Sequence, residues 1–128
     1  MKTADLMDAF QDELQSCTLQ LRNYGRIISF YGSCRTVKCH NDNVLVKQLM
    51  STPGNGGVLV VDGAGSLETA LMGDLIAELG RKNGWSGVVI HGVVRDTATL
   101  GTLDFGVKAM GSNPRKSQKE GCLSLIHI

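Results

Sequence analysis

The sequence predicts one α/β domain built on a partly parallel central sheet, and three observations carry that expectation. Val58-Leu59-Val60-Val61 and Gly87-Val88-Val89-Ile90 are continuous apolar runs, each followed by a glycine-bearing turn, as in strands buried on both faces. Residues 66–82, between them, have helical spacing. A short helical stretch at 97–103 precedes a third strand-like run at 107–110. Strand, helix, strand, helix, strand is the order of parallel crossover units.

The remaining elements follow in chain order. Thr3 is a capping residue, and Leu6, Met7 and Phe10 then fall on one side of a helix. Residues 16–23 are mixed and read as a loop. Residues 26–31 and 34–39 read as two strands about Gly32, apolar and β-branched throughout. A helix begins at Asp42 or Asn43, carries Val44, Leu45, Gln48 and Leu49, and stops at Pro53-Gly54. Gly73 interrupts the pattern of residues 66–82, and Gly84 closes it. No internal repeat is visible. Residues 114–121 are polar and turn-like, whereas residues 122–128 form an apolar ending with no pattern in common with the rest.

Composition narrows the function. The chain has 128 residues, enough for one domain, and 42% are hydrophobic, so a core can be filled. A net charge of +1 gives no general pull towards nucleic acid or an anionic membrane. Only 5% of residues are aromatic, leaving few platforms for stacking bases. Sixteen glycines favour tight turns and close approach of backbone to small ligands. The start lacks an apolar run of signal-peptide length and no stretch is long enough to span a bilayer, so a cytoplasmic location is expected. Cys17, Cys34, Cys39 and Cys122 have no CxxC spacing and read as reduced thiols rather than a zinc site.

Ligands of parallel α/β sheets gather beyond the carboxyl ends of the strands. Two such ends are recognisable, Asp62-Gly63-Ala64-Gly65-Ser66 and Gly92-Val93-Val94-Arg95-Asp96. If their strands are neighbours, both loops open on one edge, and a helix restarting at Gly73 adds backbone N–H groups suited to a carboxylate. Gly63-Ala64-Gly65 lacks the third glycine of a dinucleotide loop and reads as a tight turn. Arg95-Asp96 has two readings. It is either an ion pair that settles a turn, or a site where the arginine fork grips an acidic substrate beside a carboxylate that holds Mg²⁺ or Mn²⁺. His91 ends a strand close to Arg95 and either touches the site or fills space. Cys34 and Cys39 read as core, and Trp85 as packing between helix and strand. Arg115, Lys116 and Lys119 read as a solvated turn or an anion-attracting patch.

The arrangement as a whole adds a resemblance. Gly73-Asp74, twenty residues, then Arg95-Asp96 gives a D-x20-R-D element. With Val60-Val61-Asp62-Gly63, Lys82-Asn83-Gly84-Trp85, Val107-Lys108-Ala109-Met110-Gly111, Thr36-Val37-Lys38-Cys39 and Pro114-Arg115-Lys116, the chain resembles the RraA-like family. That family joins the regulator of ribonuclease E activity A with 4-hydroxy-4-methyl-2-oxoglutarate aldolases. The likeness spans about residues 3–121, so residues 1–121 are expected to form the family domain, incomplete at its C-terminus, with 122–128 as an atypical tail.

The resemblance implies a layered α/β/β domain of the swivelling type, assembled as a homotrimer with its site at the subunit boundary. It implies a divalent cation, Mg²⁺ or Mn²⁺, held by Asp96. Gly73, Asp74, Leu75, Ile76 and Arg95 would bind a small 2-oxo acid. Arg95 and Asp74 would be catalytic, Asp74 by holding a metal-bound water, which is also the expected base. The implied reaction releases pyruvate from 4-hydroxy-4-methyl-2-oxoglutarate, with oxaloacetate decarboxylation through the same enolate. The alternative role the resemblance implies is a non-catalytic regulator that binds and inhibits a ribonuclease, with no direct contact to nucleic acid.

Overall fold

The computed structural model describes residues 3–117. Ten elements follow in order: α1 (Thr3–Phe10), β1 (Arg22–Asn23), β2 (Cys34–Lys38), α2 (Val44–Met50), β3 (Val58–Asp62), β4 (Ala70–Met72), α3 (Asp74–Lys82), β5 (Gly87–Val94), α4 (Thr97–Leu100) and β6 (Gly106–Ser112). The sheet runs β1-β6-β5-β3-β2, with β4 also pairing β5. Only the β1–β6 pair is antiparallel, and β2–β3, β3–β5, β4–β5 and β5–β6 are parallel. The fold is therefore mixed α/β with a partly parallel sheet.

The apolar runs explain the centre of this sheet. In β3 and β5, side chains on both faces are mostly buried. Val46 and Met50 of α2, Ile76 and Ala77 of α3 and Leu100 of α4 join Leu59, Val61, Val88 and Ile90 in one core. α2 packs on α3, and α3 on α4. Gly80 makes the first contact possible, since a Cβ there would collide with the Met50 sulfur. Asn83 then ties the ends of both helices together, donating to Met50 O at 2.9 Å and to Leu79 O at 3.0 Å. Gly84, at φ +84°, turns the chain out of α3. Trp85 is buried as expected, and its indole N–H donates to Thr52 O at 3.0 Å.

Four expectations are corrected. Residues 26–31 are not a strand: only Ile27 forms a bridge, to Gly106. This segment is a strap laid on the sheet. A Cβ on Gly87 or Gly106, which face each other across β5 and β6, would strike the Phe30 ring, so the two glycines form the floor on which that ring lies. Lys108 holds the strap from the side, donating to Asn23 Oδ1 at 2.6 Å and to Ile28 O at 3.2 Å.

Residues 66–72 are not helical. The chain turns at Ala64 and Gly65, both with positive φ, so the GxG forms a tight turn. The hydroxyls of Ser66 and Thr69 then bond to Asn41 Oδ1 at 2.7 and 3.1 Å. The Ser66 hydroxyl also accepts the Glu68 N–H at 3.3 Å, a local side-chain bond of the kind that competes with a helix, and the apolar triplet that follows is fully buried as β4.

β5 is longer than expected and continues through Gly92 to Val94. Its outer neighbour changes along its length, from β3 at Gly87–His91 to β4 at Val93 and Val94. Cys34, expected in the core, is exposed because β2 is the sheet edge and four of its five residues are exposed. Cys39 is buried, as expected. The polar stretch after Ser117 and the apolar ending at 122–128 lie outside the described residues.

Candidate active site

The exchange of β3 for β4 beside β5 decides where the site forms. β3 ends at Asp62, opposite His91, while β5 runs on to Val94. The Asp62–Ser66 loop is consequently left below the tip of β5. There Asp62 Oδ1 accepts the Ala64 N–H at 2.9 Å and stands 3.7 Å from His91 Nδ1. Neither the loop nor His91 lines the cleft that holds Arg95, so that pairing of loops is corrected. The partner of Arg95-Asp96 is instead the junction between β4 and α3.

At that junction four of the residues singled out in sequence come together with the other two. Gly73, Asp74, Leu75, Ile76, Arg95 and Asp96 all line one cleft of about 200 Å³. Arg95 is set by its backbone, whose N–H donates to Met72 O at 3.0 Å. Asp96 follows in the left-handed region at φ +55°, where aspartate is tolerated better than most residues. The bend turns its carboxylate back over α3: Oδ2 accepts the Asp74 N–H at 3.2 Å and lies 3.7 Å from Arg95 Nε. Gly73 leaves room for this. A Cβ there would stand 2.5 Å from Asp96 Oδ2 and 3.3 Å from Arg95 Nε.

Electrostatically the cleft offers donors as well as charge. The first amides of a helix have no partner within it. Here the cap residue Gly73 has no side chain to offer, Asp96 takes only the Asp74 amide, and among the described residues nothing accepts from the N–H groups of Leu75 and Ile76. Asp96 Oδ1 also has no hydrogen bond among the described residues, and its side chain is 38% exposed. Arg95 is comparably accessible at 32%. An anion entering the cleft therefore meets amides and a guanidinium, and a cation meets a carboxylate oxygen.

The family model described as RraA-like, Aldolase/RraA, matches residues 3–125. The chain belongs to the RraA-like family. Among solved structures it is similar to a Geobacillus kaustophilus HTA426 protein described as S-adenosylmethionine: 2-dimethylmenaquinone methyltransferase, at 50% identity and a TM-score of 0.93, covering 94% of this chain and 75% of that one. It is also similar to the RNA-processing inhibitor RraA from Thermus thermophilis, at 40% identity and a TM-score of 0.91, covering 94% and 73%. RraAS2 of Streptomyces coelicolor, at 22% identity and a TM-score of 0.67, shares the fold over 78% of this chain and 52% of that one. The RraA-like family includes both aldolases and inhibitors of RNA processing. No helix among the described residues is long and apolar enough to cross a membrane.

The residues present fit the hard cation associated with aldolases of the family. Among the described residues no group of three or more His, Cys, Asp or Glu side chains converges on one point. Among the described residues Asp96 would hold the cation directly, with Asp74 bordering the same space. Mg²⁺ accepts such a site because it keeps most of its waters and takes one or two carboxylates; Zn²⁺, which wants several nitrogen or sulfur ligands, does not suit it.

Sequence reasoning missed Asn43, Lys47 and Ser117 as cleft residues, and read Lys116 only within a solvated turn or an anion-attracting patch. Asn43 and Lys47 from α2, and Lys116 and Ser117 from the chain after β6, also line the cleft. Asn43 and Lys47 are four apart and share a helix face, a signal that was readable once α2 was placed. Lys116 and Ser117 arrive by long-range pairing that spacing does not reveal: Lys116 bridges Ala70, and the Ser117 hydroxyl donates to Ala70 O. Lys119 lies outside the described residues.

Proposed function

We propose that this chain is a divalent-metal-dependent lyase that cleaves 4-hydroxy-4-methyl-2-oxoglutarate or a close 2-oxo acid to pyruvate, with oxaloacetate decarboxylation as a side activity. The observation that carries the reading is the carboxylate of Asp96, tethered by the Asp74 amide through one oxygen and open through the other, beside the Arg95 guanidinium. Family membership supports it, since the family includes aldolases.

The cleft residues divide the work. Arg95 and the free amides of Leu75 and Ile76 receive the substrate carboxylate and orient the 2-oxo group. Breaking the C3–C4 bond releases one pyruvate as the C4 hydroxyl loses its proton. The bonding pair moves to the other fragment as an enolate, which becomes the second pyruvate when C3 is protonated. Arg95 is a fixed positive group for that enolate oxygen and needs no reorganisation as charge develops. Asp74 is placed to order water in the cleft. Bound at Asp96, Mg²⁺ or Mn²⁺ would supply Lewis-acid polarisation of the 2-oxo acid.

The proposal includes a homotrimer with the cleft at a subunit boundary and a cytoplasmic location. In such an assembly the neighbouring subunit would cover Leu75, which stands 81% exposed at the rim. A second reading, a regulator that binds a ribonuclease, is favoured by the 40% identity to an RNA-processing inhibitor.

A coupled pyruvate assay separates them. The lyase gives metal-dependent pyruvate release that is lost with chelator and in Asp96→Ala. No release with either metal, together with ribonuclease inhibition that survives Asp96→Ala, would establish the regulator instead.

A further inference from the structure

We infer that Lys47 and Lys116, which line the same cleft as Arg95, form a second carboxylate subsite there, selecting dicarboxylic over monocarboxylic 2-oxo acids. This rests on the lyase reading and adds the residues that choose the substrate.

The cleft is lined by three cationic side chains, Lys47, Arg95 and Lys116, against two carboxylates, Asp74 and Asp96. Before any metal enters, the lining is cationic by one charge, and a dication raises the excess to three. A monocarboxylate neutralises one of these; a dicarboxylate leaves the balance nearer zero. Arg95 and the α3 amides have a receiver role for one carboxylate, while the two lysines come from other parts of the chain.

Each lysine is exposed and reaches the cleft lining from its own backbone element. Lys47 lies in α2, which packs on α3. One turn earlier, Asn43 occupies the helix cap position without using its side chain for capping. That role falls to Asp42, whose Oδ1 accepts the Val44 N–H at 2.9 Å. The Asn43 amide thus stays available beside Lys47. Lys116 is fixed beside β4 by its bridge to Ala70 and by the neighbouring Ser117 hydroxyl. Among the described residues neither lysine has a carboxylate partner, although arginines elsewhere do, as in Arg26–Asp104 and Arg81–Glu78. Two unneutralised ammonium groups and a spare amide in one small cleft are a receptor for a second anionic oxygen pair.

The test compares two ligands that cannot be cleaved. 2-Oxoglutarate has the five-carbon dicarboxylate skeleton without the 4-hydroxyl, and 2-oxobutanoate lacks the distal carboxylate. Calorimetric titration with Mg²⁺ present is expected to give 2-oxoglutarate about tenfold the affinity of 2-oxobutanoate, the scale of one charge-assisted contact. In Lys47→Gln/Lys116→Gln the ratio should fall to within about twofold, by loss of 2-oxoglutarate affinity alone, and Lys47→Arg/Lys116→Arg should restore it. A ratio unchanged in the double Gln variant, or equal weakening of both ligands, overturns the subsite while leaving the lyase reading intact. Binding of neither ligand by the unaltered chain overturns both.

Discussion

The backbone N–H of Asp74 donates to Oδ2 of Asp96 at 3.2 Å, joining residues twenty-two positions apart at the tip of the sheet. That bond fastens the first amide of α3 to the turn after β5. It consumes one carboxylate oxygen structurally and leaves the other without a hydrogen bond among the described residues. Two consequences of this division can be measured.

Asp96→Asn keeps an acceptor for the Asp74 amide and a residue that tolerates left-handed backbone, but removes the negative charge. Pyruvate release is expected to fall about 100-fold or more, with the thermal midpoint little changed. Retention of metal-dependent activity in this variant would remove Asp96 from the cation site.

Gly73→Ala places a methyl 2.5 Å from Asp96 Oδ2 and 3.3 Å from Arg95 Nε, so both side chains must move. Overpacking of this kind costs about 1–3 kcal/mol in a core and less beside an open cleft. The expected signature is a large loss of pyruvate release with a small loss of thermal stability. A variant with normal rates would show that the carboxylate has no fixed position to lose.

How far the site could be read in advance depended on whether its residues lie close in sequence. Arg95-Asp96 and Gly73-Asp74 are each adjacent pairs at an element boundary, and both were legible. The partner loop was misassigned because β3 and β5 read as equal neighbours. Nothing in Val58–Asp62 announces that β5 outruns β3, or that a three-residue strand takes its place. β4 itself was hidden by a helical spacing from Ser66 onward that Asn41, distant in sequence, disrupts through the Ser66 and Thr69 hydroxyls. The strap at 26–31 failed for a similar reason. Its apolar residues suit a strand, but its ring-on-glycine packing depends on Gly87 and Gly106.

Cys39 gives a prediction about reactivity and pH. Burial, reinforced by the charges of Asp42 and Asp62, pushes its thiol up to about 12. Cys17 and Cys34 are exposed, so iodoacetamide at pH 8 should modify these two readily and Cys39 only after unfolding. The unfolded thiol ionises near its ordinary value of about 8.5. From there up to about 12 the unfolded chain has lost a proton that the native chain keeps. This group therefore contributes stability that is fully present below pH 8 and declines as pH rises through that window. Rapid native labelling of Cys39 at pH 8 would contradict the burial.

Gly106→Ala puts a methyl into the Phe30 ring. Destabilisation of about 1–3 kcal/mol is expected, measured by denaturant titration. In Phe30→Ala the ring is gone, and the same glycine substitution should cost clearly less. The non-additivity of this cycle is the diagnostic quantity. Additive costs would mean that the strap does not rest on these glycines.

The left-handed turn at residue 96 also limits how the position can change over evolutionary time. Most side chains would pay roughly 1 kcal/mol or more for that backbone shape, whereas Asn and Gly adopt it cheaply. Both are electrically neutral. The least disruptive replacements at the proposed anchor are thus ones that preserve the turn and abolish the charge, so a lineage could lose the proposed cation site in one step while its architecture survives.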